Sequence, residues 1–132
     1  MTILYILIIL VVGMLAYVRF APSDPAKWHT PITATEDKKF KGGAIRVVKG
    51  DADALAKIDA AARALPRTEV LAGSVAEGRI TYVTRTASIR FPDYTTVELD
   101  VDTIKMFARL RFGRSDFGVN AARLKVLVDA LQ

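Results

Sequence analysis

The sequence predicts an α+β fold: an N-terminal transmembrane helix, then a mostly antiparallel sheet of about five strands with two helices on one face, in a helix-grip-like arrangement. Three observations carry this expectation. The first eighteen residues hold no charged side chain. Residues 95–101 and 104–112 alternate apolar and polar with period two. Residues 51–65 and 120–131 place apolar side chains at helical spacing. The chain divides accordingly into a transmembrane helix at 1–20, a Pro-containing tether at 21–41 and a single α+β domain at 42–132.

Ile3 to Val18 reads ILYILIILVVGMLAYV, with Arg19 next. A helix of this length rises roughly 24–27 Å, the short end for a hydrocarbon core of about 30 Å. Phe20, Ala21 and a snorkelling Arg19 make up the difference, so the bilayer is the expected partner of residues 3–20. Tyr5 and Tyr17 stand where interfacial aromatics are expected. A cleaved signal peptide is the second reading, disfavoured because no Lys or Arg precedes the apolar run and no clear small-x-small site ends it. A buried core helix is the third, disfavoured because no polar stripe exists to face water. Arg19, Lys27, Lys38 and Lys39 follow the span and put the body on the cytoplasmic side by charge bias, although Asp24 lies among them.

Pro22, Pro25 and Pro31 deny the tether a regular helix or central strand. Trp28-His29 reads either as an interfacial aromatic and lone ligand, or as Trp28 packed on the domain edge or at the headgroups. The second is favoured, since His29 has no second ligand nearby. Lys38, Lys39 and Lys41 with Phe40 form a basic-aromatic cluster that suits anionic lipid or a solvated approach to a strand.

In the body, Ala44 to Lys49 predicts a strand closed by Gly50. Asp51 or Asp53 caps a helix to about Leu65, its core stripe Leu55, Ile58, Ala62 and Leu65, and Pro66 stops it. Thr68 to Val75 is a second strand, Glu77-Gly78 a turn, and Ile80 to Phe91 a long third strand rich in Thr, Val, Ile and Tyr. Then Thr95, Val97, Leu99 and Val101 share one face of a strand, as do Ile104, Met106, Ala108, Leu110 and Phe112 in the next. A two-residue turn at Asp102-Thr103 pairs Leu99 with Met106, Asp100 with Lys105 and Thr96 with Arg109, so dry meets dry and opposite charges meet. Asn120 is the expected N-cap of a last helix carrying Leu124, Leu127, Val128 and Leu131.

The chain has no Cys and one His, which excludes disulfides, thiolate metal sites, a cysteine nucleophile and a site built from several His ligands. No Gly-rich phosphate loop and no Ser-centred elbow occur, and no cofactor or metal is expected. The net charge of +5 is mild. Phe107 is the only aromatic interleaved in the basic strand, where a nucleic-acid platform needs several, so nucleic acid is not an expected partner. The polar residues that stand out are Arg85, Asp93, Arg111, Ser115, Asp116, Asn120 and Arg123. They form either an anion or substrate site built on Arg85 and Arg111, or an internal ion-pair and capping network. Arg85 shares strand parity with Val83, Ala87, Ile89 and Phe91. On a dry face it needs a carboxylate, from Asp93 or Asp116.

The stretches YVTRT from Tyr82, FPDYTTVEL from Phe91 and RFGRSDFGVNAAR from Arg111 to Arg123 resemble the domain of unknown function 1499, widespread in bacteria and present in photosynthetic lineages. Its hallmarks fall here on Phe91, Pro92 and Asp93, and on Arg111, Gly113, Ser115, Asp116, Gly118, Asn120 and Arg123. Two departures matter. Many relatives carry a Cys-containing motif ahead of the first strand, and many have Ser where Leu110 stands; a catalytic role resting on either is not expected here. The resemblance implies no established activity. Some relatives look exported or lipid-anchored, against the charge bias, so the side of the membrane stays open.

The expectation is a non-enzymatic, single-span protein of the bacterial inner membrane, an accessory, assembly or interaction subunit with a membrane-protein partner. The alternative is a module that holds a lipid or small apolar acid between sheet and helices, gripped by Arg85 or Arg111. A third reading is a hydrolase or transferase using Asp93, Asp116 and an Arg.

Overall fold

A computed structural model describes all residues, Met1–Gln132. Its elements are α1 (Thr2–Phe20), α2 (Pro25–Trp28), β1 (Lys38–Phe40), β2 (Gly43–Lys49), α3 (Ala52–Arg63), β3 (Thr68–Ser74), β4 (Arg79–Arg85), β5 (Pro92–Asp100), β6 (Thr103–Leu110) and α4 (Val119–Asp129). The class is the expected α+β. The strands form one sheet in the order β1-β2-β6-β5-β4-β3, antiparallel throughout. The count is six, because Lys38–Phe40, expected within the tether, pairs with Gly43–Ile45 as an edge strand.

Alternation dictates the two faces of the sheet. Ala44 of β2, Ile80 and Tyr82 of β4, Val97 of β5 and Ile104, Met106 and Ala108 of β6 point to one side. There they close on Leu55, Ile58 and Ala62 of α3 and Leu124 and Leu127 of α4 in one continuous core. Asp51 caps α3, its carboxylate accepting from the Ala54 N–H at 3.0 Å. Ile80, Ile104, Met106, Leu124 and Leu127 are fully buried, so side chains fill the space between sheet and helices. A deletion of any of them to Ala costs about 2–5 kcal/mol.

Two strand boundaries differ from expectation. The stretch Ile80 to Phe91 is not one strand: β4 ends at Arg85, and Thr86 to Phe91 is a loop pinned at its neck. The Thr86 N–H donates to the Phe91 carbonyl at 3.0 Å, and the Phe91 N–H donates to Thr86 Oγ1 at 2.9 Å. The β5–β6 turn is Val101-Asp102, not Asp102-Thr103. Leu99 faces Ile104, Glu98 faces Lys105 and Thr96 faces Phe107. A slip of two residues leaves every side chain on its predicted face, so the hydrophobic pattern does not distinguish the two registers. Val101, 90% exposed at φ 60, accepts a left-handed conformation to close this two-residue turn. The predicted Asp100–Lys105 ion pair still forms, diagonally, at 3.1 Å.

Candidate functional site

The seven polar residues singled out in the sequence do not converge; the fold sorts them onto opposite faces. One group closes the N-terminus of α4. The Asp116 carboxylate accepts from the Gly118 N–H at 2.9 Å and from the Asn120 N–H at 3.0 Å. Gly118, at φ 83, occupies the cap position. Asp116 is thus the capping side chain, and Asn120 lies inside the helix, fully buried. The Asn120 side-chain oxygen accepts instead from Arg123. Arg123 in turn reaches Asp93 at 3.4 Å. Burial pushes the Asp93 carboxyl up, Arg123 opposes that, and Asp116 adds to it. Ser115 Oγ accepts from the Phe117 N–H at 3.3 Å and shapes the approach to the helix. In this group each carboxylate meets a donor of the protein itself.

Arg85 and Arg111 belong to the other face and to the exit of α1. Arg85 finds no carboxylate. Its guanidinium donates to the carbonyls of Val18 at 3.3 Å and Arg90 at 3.0 Å. The face it shares with Val83 is not the one under the helices, so half-burial and two carbonyls satisfy the charge. Arg111 donates to the Pro22 carbonyl at 3.0 Å and to the Tyr94 hydroxyl at 3.1 Å.

Between these two arginines and the β5–β6 turn, residues 22–32 lie across the second sheet face as a strap. Trp28 stacks on Tyr94, ring centroids 3.9 Å apart and 14° from parallel. Ser23 and Tyr94 share a 2.6 Å hydroxyl contact. Asp24 caps the short α2 by accepting from the Ala26 N–H, and Pro25 fits its first turn because the missing N–H would have had no partner there. His29 Nδ1 lies 2.8 Å from Thr81 Oγ1, which meets Thr96 Oγ1 at 2.8 Å. The Ile32 N–H donates to Glu98 at 3.3 Å, and Lys105 donates to the Ile32 carbonyl at 3.3 Å. The tether is therefore part of the folded body, and Trp28 packs on the middle of the sheet, not at its edge.

The centre of this face is Arg109, which the sequence reading placed simply on a basic, wet surface. It is 9% exposed. No acidic group neutralises it. It donates to the Trp28 carbonyl at 2.6 Å, the Phe107 carbonyl at 2.9 Å and Thr96 Oγ1 at 3.0 Å, and it lies over the rings of Phe107 and Trp28. Desolvation pulls its pKa down to about 10. Arg79 and Glu98 pair beside it at 2.5 Å. Burial first, and then the Arg79 charge, lower the His29 pKa. A Trp-His dipeptide opposite a Tyr-x-Thr-x-Glu strand was the available signal, but only the register shows that they meet.

No group of His, Asp and Glu side chains is arranged to hold a metal ion. An open groove of about 560 Å³ runs outside the core between the β1–β2 edge and α4, lined by Lys38, Ala44, Arg46, Ala121, Lys125 and Val128 among others. Arg85 and Arg111 are remote from it, on the face turned away from the helices.

Fold and site together define a small α+β domain with a helix-covered face, a strap-covered face and an apolar helix leading into it. The chain belongs to the family described as "protein of unknown function (DUF1499)", whose model matches residues 18–131. The match begins at Val18, the residue that Arg85 grips, so the strap is within the family domain. No curated protein matches the chain.

Proposed function

We propose that the protein is a non-enzymatic, membrane-anchored subunit that holds a folded domain at a fixed attitude on the bilayer and offers it to a membrane-protein partner. The observation that carries this reading is the state of α1. Nineteen residues long with mean hydropathy 2.5 in its most apolar window, it is exposed along its whole length except at Val18. A core helix would be covered by the body. This one leaves the body at Val18 and Ala21, which are clamped there by Arg85 and the strap. A signal sequence also fits such a helix by length and composition; the contact favours retention, because cleavage near residue 20 would remove one of the two carbonyls that Arg85 reaches. The bacterial inner membrane is the expected home.

The side chains facing each other between sheet and helices are fully buried, which speaks against a lipid held there. The ligand reading therefore moves to the outer groove beside α4, where Lys38 and Lys125 could receive only a small acid at the surface. The hydrolase reading is not favoured, since Asp116 accepts two main-chain hydrogen bonds at the start of α4 and Asp93 faces Arg123.

Extraction of the tagged, full-length chain in mild detergent, followed by native mass spectrometry, tests the proposal. The expected result is one defined membrane partner at fixed stoichiometry. A bare monomer under every such condition would contradict it.

A further inference from the structure

The strands run antiparallel, so the loops sort to two ends of the sheet. The registers place the end of β4, the start of β5, the end of β6 and the β1–β2 turn at one end, beside the exit of α1. That end carries Arg19, Lys41, Arg85, Arg90, Arg111 and Arg114. Of its carboxylates, Asp93 and Asp116 are internally engaged, Asp24 caps α2, and Glu69 is exposed in a pocket it shares with Arg67, Arg85 and Arg90, so the basic side chains outnumber the free acidic ones. The far end carries Asp51, Asp53, Glu77, Asp100 and Asp102 against Lys49 and Arg79, and Arg79 is paired with Glu98. The domain is thus polarised, basic toward the helix and acidic away from it.

The basic end also presents exposed apolar side chains. Phe117 is 94% exposed and Ile89 42%. Tyr17, Phe91 and Phe112 form an aromatic chain between α1 and this end, with centroid distances of 6.0 and 6.4 Å. The Thr86–Phe91 loop does not merely face the helix exit but runs down beside the helix. Ser88 and Ile89 line a cleft with Val12, Leu15, Ala16, Arg19 and Phe20. Val12 to Arg19 spans roughly 10 Å of helix, comparable to the depth of an interfacial segment, about 5–10 Å. The pinned neck of the loop holds it in that attitude before any lipid is met.

We infer that this end is a lipid-binding foot: the Thr86–Phe91 loop inserts Ile89 into the headgroup–acyl boundary beside α1, Phe117 enters beside it, and Arg90, Arg114 and Lys41 bind the phosphates of anionic lipids. The inference rests on α1 being a retained span. Charge complementarity and continuity with α1 select a lipid surface over a protein; an aromatic-basic belt around a helix exit is what a membrane interface favours.

The chain has no cysteine, so Ile89→Cys and Val101→Cys each give a unique label site, at opposite ends of the sheet. Full-length protein carrying a polarity-sensitive dye is placed in nanodiscs of phosphatidylcholine, with or without phosphatidylglycerol. The foot predicts a blue-shifted dye at position 89, quenched by lipid-borne quenchers and more strongly with the anionic lipid, and a water-like dye at position 101. Arg90→Glu and Arg114→Glu, each a change of two charges, should each lower the docked-to-free ratio roughly thirtyfold in the anionic discs, and added salt should act in the same direction. A water-like dye at position 89 in both discs overturns the foot. So does equal quenching at 89 after Arg90→Glu and Arg114→Glu are combined, which would mark the loop as packed against α1 alone. Carbonate washing of membranes tests the span separately: a retained chain with a water-like position 89 sinks the foot and leaves the anchor.

Discussion

Asp116 concentrates two main-chain hydrogen bonds in one carboxylate at the start of α4. Asp116→Ala should therefore lower stability by about 1–2 kcal/mol, visible as a drop in Tm, while Asp116→Asn, which keeps an acceptor, should cost less. His29 makes a pH-dependent contribution. Its folded pKa lies below the ordinary 6.5, so the folded state binds fewer protons than the unfolded one near neutrality. Its stabilising share is complete above pH 6.5 and is lost as the pH falls through the depressed folded value. Thermal melts between pH 7.5 and 5 should show declining stability, with a flatter slope in His29→Gln. An unchanged slope in that variant would assign the decline to other groups. Arg109 shows why the sequence reads these residues poorly. A guanidinium on an alternating strand looks like a solvated charge, and nothing local announces that Trp28, eighty-one residues upstream, supplies a carbonyl to it.

The strap depends on one aromatic stack. Trp28→Ala removes its face from Tyr94 and from the Arg109 guanidinium. Since Trp28 is only half-buried, the expected loss is about 2 kcal/mol, below that of a core aromatic. Faster proteolysis within residues 24–36, with the core strands still protected from hydrogen exchange, should accompany it. If the strap stays protected, its hydrogen bonds alone hold it. Elements with a hydrophobic face were legible from the sequence: α3, β5, β6 and α4 lie close to where their periodicity puts them, because burying one face fixes parity. The strap and β1 were not. Their order comes from hydrogen bonds to the second sheet face, and three prolines conceal it. The β5–β6 register was legible only modulo two residues, since turn choice at Val101-Asp102 is a backbone property that apolar alternation does not encode. Of the candidate residues, Asp93, Asp116, Asn120 and Arg123 are linked at the start of α4, but Asp116 makes the cap that the sequence assigns to Asn120, because Gly118 holds the cap position. Arg85 departs from expectation because its face is covered by the chain's own N-terminal segment.

At the scale of the whole molecule, the apolar helix, strap and sheet are joined. Arg85 and Arg111 tie the body to Val18 and Pro22, so the domain holds the end of α1 by two hydrogen bonds. This makes retention of α1 the claim on which the anchoring role and the lipid-binding foot both depend. The intact mass of the protein recovered from carbonate-washed membranes tests it most directly. The account predicts a membrane-bound chain that still contains residues 3–20. A soluble product beginning near residue 20 would contradict it.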